Sequence, residues 1–150
     1  MNNNISIEYW SAADIKIVYD LVRALAVFEK EPDAVTAGLR DFQKAFTGGL
    51  IAGHIARDIN REVAGMTLFY ETFSTWKGKM LYLEDFFVLE KYRKLGIGSR
   101  LFDAYIEEAK IRQCTSLKWQ VLDWNTPAIR FYEKYGAIVQ KEWLTCRILL

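Results

Sequence analysis

The sequence is poor in the residues that build cross-linked or metal-dependent proteins. Among its 150 residues it has two cysteines and one histidine, too few for a disulfide framework or a cysteine-rich zinc site. We therefore predict no metal site. Cys114, Cys146 and His54 are expected to be structural residues, because strand alternation or helix burial accounts for each position.

The sequence also lacks an excess of charge of one sign. It has 20 Lys and Arg against 19 Asp and Glu, a net charge of +1, and these residues are mixed along the chain, which argues against a nucleic-acid partner. No stretch approaches the roughly 18 to 20 apolar residues of a membrane span, and the first ten residues do not resemble a signal peptide. We expect no membrane partner and a cytoplasmic location.

Repeats, low-complexity tracts and proline-rich linkers are absent as well, and there are two prolines in all. Apolar residues make up 51% of the chain, which is enough to fill one core at this length. The sequence therefore predicts a single domain, residues 1–150.

The apolar pattern switches between strand and helix periods along the chain. A first strand at 5–10 precedes a helix in which Ser11 and Asp14 form a capping box. The remaining predicted elements follow in order: a helix at 34–46, strands at 50–57, 62–73 and 79–89, a helix at 97–112, a strand at 116–122, a helix at 127–135 and a strand at 143–150. The central three strands predict an antiparallel meander within a mixed α/β fold.

A glycine-containing loop, "YRKLGIGSRL", lies between the third strand of this meander and the next helix. Its R-x-x-G-x-G pattern, formed by Arg93, Gly96 and Gly98, leaves the first amides of that helix free to bind an anion. Lys94 and Arg100 add positive charge suited to phosphate oxygens. Neither the Walker pattern nor the dinucleotide fingerprint is met. The alternative is a simple turn followed by a helix.

Longer motifs that include this loop resemble those of a known protein family. "YRKLGIGS", followed by "WNTPAIRFYEKYGA", resembles the acetyl-CoA site of the GNAT N-acetyltransferase superfamily. "STWKGKMLYLEDFFV" and "ALAVFEKE" resemble the diamine (spermidine/spermine) branch and its thialysine-acetylating relatives. The resemblance implies a mostly antiparallel sheet of about six to seven strands flanked by about four helices, and a homodimer. It also implies direct transfer of acetyl from acetyl-CoA to a primary amine.

The resemblance further implies which residues bind each substrate. Acetyl-CoA would be held by Phe86, Phe87, Val88, Arg93, Lys94, Leu95, Gly96, Ile97, Gly98, Ser99, Asn125, Pro127 and Ala128. The amine would be bordered by Phe28, Glu29, Glu84 and Trp119. Trp119 and Trp124 either line the pocket through cation–π contacts or fill the core.

Glu84 is the predicted base. A primary amine is protonated at neutral pH and must lose a proton before it attacks a thioester. By resemblance Glu84 lies near the amine, and a structural ion pair is the alternative. Strand alternation predicts that Glu84 and Asp85 face opposite ways, and we expect Asp85 to satisfy local polar groups.

Tyr132 is the predicted acid, because it matches the family's sulfur-facing tyrosine. A phenol is protonated at pH 7 and can donate to a leaving thiolate. The alternative is a buried aromatic, and Tyr135 is expected only to pack.

The small amine would be a diamine, a polyamine or a thialysine-like amino acid. Two alternatives stay open: acetylation of a peptide or protein amine, and a non-catalytic acyl-CoA sensor. The presence of both Glu84 and Tyr132 argues against the sensor.

Overall fold

The computed structural model describes residues 4–150. These fall into two compact units, one ending at Gln120 and the other comprising Val121–Leu150. That the whole chain forms a single domain stays a prediction.

The first unit contains a five-stranded sheet in the order β1-β2-β3-β4-β5. The strands are β1 (Ser6–Tyr9), β2 (His54–Arg57), β3 (Val63–Ser74), β4 (Gly78–Val88) and β5 (Ser116–Trp119). β1 to β4 pair antiparallel, whereas β4 and β5 are parallel. Parallel neighbours need a crossover, and helix α3 (Ile97–Ile111) provides it. The predicted meander and crossover are confirmed.

Each face of the sheet is covered by helices with an apolar stripe. On one face, α1 (Ile15–Phe28) buries residues such as Val18 and Leu21 in a core with Met66 and Leu68. On the other face, the α3 residues Ile97 and Leu101 pack with Ala56 and Ala64. The helical spacing of these apolar residues explains why the two helices lie flat on the sheet.

Two helix starts differ from the prediction. The Ser11–Asp14 capping box is present, but it opens a 3-10 turn at Ala12–Asp14 that leads into α1. Helix α2 (Leu39–Thr47) begins later than residue 34, because Gly38 is its N-cap. There the Asp41 carboxylate accepts the Gly38 N–H at 2.7 Å, and this cap fixes the start of the helix.

The second unit contains α4 (Thr126–Lys134), which ends before Gly136 with φ +79°. The predicted strand at 143–150 is wrong: residues 137–150 are in no strand, and Cys146 is exposed. β5 also ends earlier than predicted, at Trp119. The described residues therefore form five strands instead of six to seven. Alternating apolar residues predict a strand, but a strand also requires a hydrogen-bonding neighbour.

Candidate active site

The glycine loop presents an uncapped helix end. After β4, a 3-10 turn at Glu90–Tyr92 leads to Gly96, which has φ +77° and is the N-cap of α3. Gly96 has no side chain to cap the helix, and the first turn of α3 contains no acidic residue. Amides at such a terminus point outward and favour an anion.

The basic side chains of this loop differ in whether they have partners within the chain. Among the described residues, the side chains of Lys94 and Arg100 form no ion pair or hydrogen bond. Arg93, in contrast, donates from Nε to the Val88 carbonyl at 3.0 Å, and its guanidinium lies 4.8 Å from the centre of the Phe28 ring. Two positive charges beside the helix end are thus unmatched within the described chain.

The second half of β4 has an open edge. β5 pairs only with the first half, from Met80 to Leu83. Beyond Leu83, no strand in the described part of the chain pairs with residues 84–88 on the side opposite β3. The predicted cofactor residues Phe86, Phe87 and Val88 lie on this stretch. An extended ligand could therefore hydrogen-bond to the backbone here, next to the glycine loop.

A β-bulge changes which way the two acids of β4 face. Leu68 pairs with Asp85 and Phe69 pairs with Leu83, so Glu84 is the extra residue between them. The predicted alternation is therefore interrupted, because a bulge inserts one residue without a partner. The expectation that Glu84 and Asp85 face opposite ways is wrong. Glu84 accepts a hydrogen bond from Tyr70, and Asp85 is opposite Leu68, which lies on the same face of β3 as Tyr70.

Glu84 is exposed and is held by a tyrosine. The Tyr70 hydroxyl donates to Glu84 Oε2 at 2.8 Å, and the Tyr70 ring stacks on Tyr82 with centroids 5.3 Å apart. Glu84 forms no ion pair with any described residue. The alternative of a structural ion pair therefore finds no support.

Asp85 does not satisfy local polar groups, contrary to prediction: it accepts no hydrogen bond from any described residue. Burial, with added repulsion from Glu84 and Glu29, raises the pKa of Asp85 to about 7. Burial also raises the pKa of Glu29. Glu29, Glu84 and Asp85, here termed the unpaired acidic cluster, contain no ion pair to a described cation.

The aromatic candidates separate onto two faces of the sheet. Phe28, at the end of α1, lies near Phe87, with ring centroids 6.3 Å apart. Trp119 instead packs edge-on against Phe102 of α3 at 5.3 Å, and Phe86 contacts the same ring at 5.8 Å. Phe28 therefore lies on the face of the acidic cluster, whereas Trp119 lies on the α3 face.

In the second unit, helix α4 presents the remaining candidates. The side chain of Asn125 caps the helix by accepting the Ala128 N–H at 3.3 Å, with Pro127 in the first turn. Tyr132 is the buried residue of this helix. Tyr135 packs against Phe131, with centroids 5.2 Å apart, in agreement with its predicted role.

The sequence did not predict the hydrogen bond between Tyr70 and Glu84. This bond depends on the bulge, which brings Glu84 to the same side as the Tyr70 hydroxyl. The one sign of the bulge in the sequence is a pair of consecutive acids inside an apolar strand, which interrupts the alternation of apolar and polar residues.

These features agree with comparisons to known proteins. Residues 15–137 match the sequence model of the acetyltransferase (GNAT) family. This chain belongs to that family. It is 34% identical over 131 residues to a thialysine N-epsilon-acetyltransferase of Caenorhabditis elegans, covering 85% of this chain and 81% of the nematode protein.

A second relative is the human spermidine/spermine N(1)-acetyltransferase-like protein 1, 29% identical over 140 residues, with 88% of this chain aligned to 20% of the human protein. Among solved structures, an aminoglycoside acetyltransferase from a soil metagenome superimposes with a TM-score of 0.83 at 16% identity, covering 99% of this chain and 98% of that one. The GNAT fold predicted from sequence is confirmed.

Membership of the family identifies the chain as an acetyltransferase, and acetyl-CoA is the cosubstrate of GNAT acetyltransferases. Within residues 4–150 no group of His, Cys, Asp and Glu side chains could hold a metal ion. None of the described helices has the length and apolar character needed to cross a membrane.

Proposed function

We propose that this GNAT acetyltransferase transfers the acetyl group of acetyl-CoA to a primary amine of a small cationic substrate: a diamine, a polyamine or a thialysine-like amino acid. The main support is a separation of unmatched charge. Lys94 and Arg100, beside the start of α3, have no ion-pair partner among the described residues. The carboxylates of Glu84 and Asp85, at the bulge in β4, have none either. The two substrates are anionic and cationic respectively, so each would meet charge of opposite sign.

The loop fits the pyrophosphate of acetyl-CoA. Gly96 has φ +77°, and a Cβ added there would meet no atom within 4 Å. The space above Gly96 is therefore open to a ligand. A Cβ added at Gly98 would be in contact with two other predicted cofactor residues, Phe86 at 3.6 Å and Val88 at 3.9 Å. Lys94, Arg100 and the amides at the start of α3 would bind the phosphate oxygens.

The unpaired acidic cluster fits a cationic amine. Burial and the charges of Glu84 and Glu29 raise the pKa of Asp85. A cation that enters the cluster would replace this repulsion with attraction. Glu29 and Asp85 would hold the distal cationic end of the substrate. Phe28 and Phe87 would border its alkyl part.

The chain's own residues would then move two protons. Glu84 accepts one proton from the substrate ammonium, directly or through water, and the freed lone pair forms the C–N bond to the thioester carbon. As the C–S bond breaks, Tyr132 donates its proton to the sulfur. The nitrogen sheds a second proton as the amide forms, which restores Tyr132, and Glu84 releases the first to solvent.

We also propose a homodimer in the cytoplasm. The C-terminal segment supports self-association, because Leu144, Ile148 and Leu149 are 86%, 85% and 81% exposed. Exposed apolar side chains on a segment without a strand partner favour pairing with another chain.

The test is acetyl transfer itself. The protein is incubated with acetyl-CoA and a panel containing putrescine, spermidine, thialysine, ornithine and a lysine-containing peptide, and free thiol is measured. We expect turnover with at least one small amine and little with the peptide. Preference for the peptide would move the substrate to the protein-amine class.

The matched pair Tyr132→Phe and Tyr135→Phe separates catalysis from binding. Tyr132→Phe keeps the ring but removes the proton donor, so turnover should fall about 10²-fold while thermal stability changes little. Tyr135→Phe should leave turnover intact. Stabilisation by CoA with no turnover on any amine would favour the sensor.

A further inference from the structure

The hydroxyl of Tyr70 donates a hydrogen bond to the predicted base, Glu84. It lies 2.8 Å from Glu84 Oε2, well within normal hydrogen-bond distance. Glu84 is exposed, and an exposed glutamate samples many rotamers unless a partner fixes it. The hydrogen bond restricts Glu84 to one orientation.

The position of Tyr70 is itself fixed by the sheet. Tyr70 and Tyr82 are directly opposite in the β3–β4 register, and their rings stack at an interplanar angle of 25°. Cross-strand aromatic pairs of this kind stabilise a sheet and restrict both rings. The bulge at Glu84 then places the carboxylate within reach of the Tyr70 hydroxyl.

Burial and the neighbouring acidic groups keep Tyr70 protonated. Burial, the hydrogen bond to Glu84 and the charges of Glu84 and Asp85 all raise its pKa, as does Tyr82. The other groups that act on the pair are Tyr82 and Asp85, both on β4, while Glu29 at the end of α1 acts on Asp85. Tyr70 therefore remains a donor across the pH range in which an acetyltransferase is assayed.

We propose that Tyr70 is a positioning residue, which orients the Glu84 carboxylate for proton acceptance. This rests on the proposed function, in which Glu84 accepts the proton of the substrate ammonium. Tyr70 does not itself exchange a proton. Its hydroxyl stays bonded to the carboxylate, and it leaves the second Glu84 oxygen available to the substrate or to a bridging water.

The test is Tyr70→Phe, with Tyr82→Phe as the matched control. Tyr70→Phe keeps the stacked ring and removes only the donor, so kcat should fall roughly 3- to 10-fold with KM little changed. Tyr82→Phe, whose hydroxyl makes no hydrogen bond to Glu84, should move neither quantity.

A double-mutant cycle with Glu84→Gln completes the experiment. If Tyr70 acts through Glu84, Tyr70→Phe should lower kcat much less in the Glu84→Gln variant than in the parent protein. An unchanged kcat in Tyr70→Phe, or equal losses of kcat in the parent and Glu84→Gln backgrounds, would overturn the proposal. Failure of the proposed function gives a different result, since the parent protein would then acetylate no small amine.

Discussion

Two groups of carboxylates in the first unit differ in how their charge is balanced. In one, here termed the paired charge cluster, Glu108 is buried, the Tyr9 hydroxyl donates to it, and Arg112 Nε donates to it at 2.5 Å. Arg112 also reaches Glu71 at 3.2 Å. The unpaired acidic cluster likewise has a tyrosine donor, Tyr70, but none of its members forms an ion pair with a described cation.

The two clusters consequently differ in proton affinity. Burial acts to raise the pKa of Glu108, but hydrogen bonds from Tyr9 and Arg112 outweigh it and the pKa is lowered. For Asp85, burial and two neighbouring carboxylates act in the same direction, and the pKa rises to about 7. A carboxylate balanced within the chain stabilises the fold, whereas an unbalanced one is available to a cation from outside.

Replacing one glutamate of each cluster with glutamine, at Glu84 and at Glu108, tests the difference between the clusters. The larger effect is expected at Glu84. Glu84→Gln removes the proton acceptor, so turnover at pH 7 should fall about 10²-fold or more. It should recover in part at high pH, where free amine accumulates. Steady-state kinetics across pH measures this, and full activity at neutral pH would remove Glu84 as the base.

Glu108→Gln should instead affect stability. It leaves Arg112 without its buried partner, so the free energy of unfolding should fall by about 2 kcal/mol. Turnover per folded molecule should be unchanged. Urea unfolding followed by circular dichroism measures the first quantity, and an active-site-normalised assay measures the second. A stable variant with lost turnover would contradict the division between the two clusters.

The sequence was enough to predict most of the fold and the glycine loop, because both depend on local pattern. Alternation and helical spacing located β3, β4 and α3, and the glycines at 96 and 98 located the helix end. The features that the sequence did not predict depend on which strands pair with each other, and in which register. The bulge at Glu84 and the bond from Tyr70 require the β3–β4 register, and the absence of a strand at 143–150 reflects the lack of a neighbour.

The smallest expected effect concerns the pH dependence of stability. The pKa of Asp85 is raised in the folded protein to about 7 from an ordinary value of 3.8. Between these values the folded state keeps a proton that the unfolded state has lost, so stability falls as pH rises through this window. Glu108 has the opposite effect on the pH dependence of stability. Its pKa is lowered in the folded protein, so the stability that it contributes is lost as the pH falls below the ordinary pKa of a glutamate.

Asp85→Asn should therefore flatten the decline in stability between about pH 4 and pH 7, and raise the free energy of unfolding above pH 7 by about 1–2 kcal/mol. Putrescine should stabilise the parent protein more than the variant at pH 8, because the dication balances the carboxylate that the variant lacks. Thermal unfolding at several pH values, with and without putrescine, measures both effects. If Asp85→Asn destabilises the protein at pH 8, the carboxylate has a partner in solution and the contrast with Glu108 does not hold.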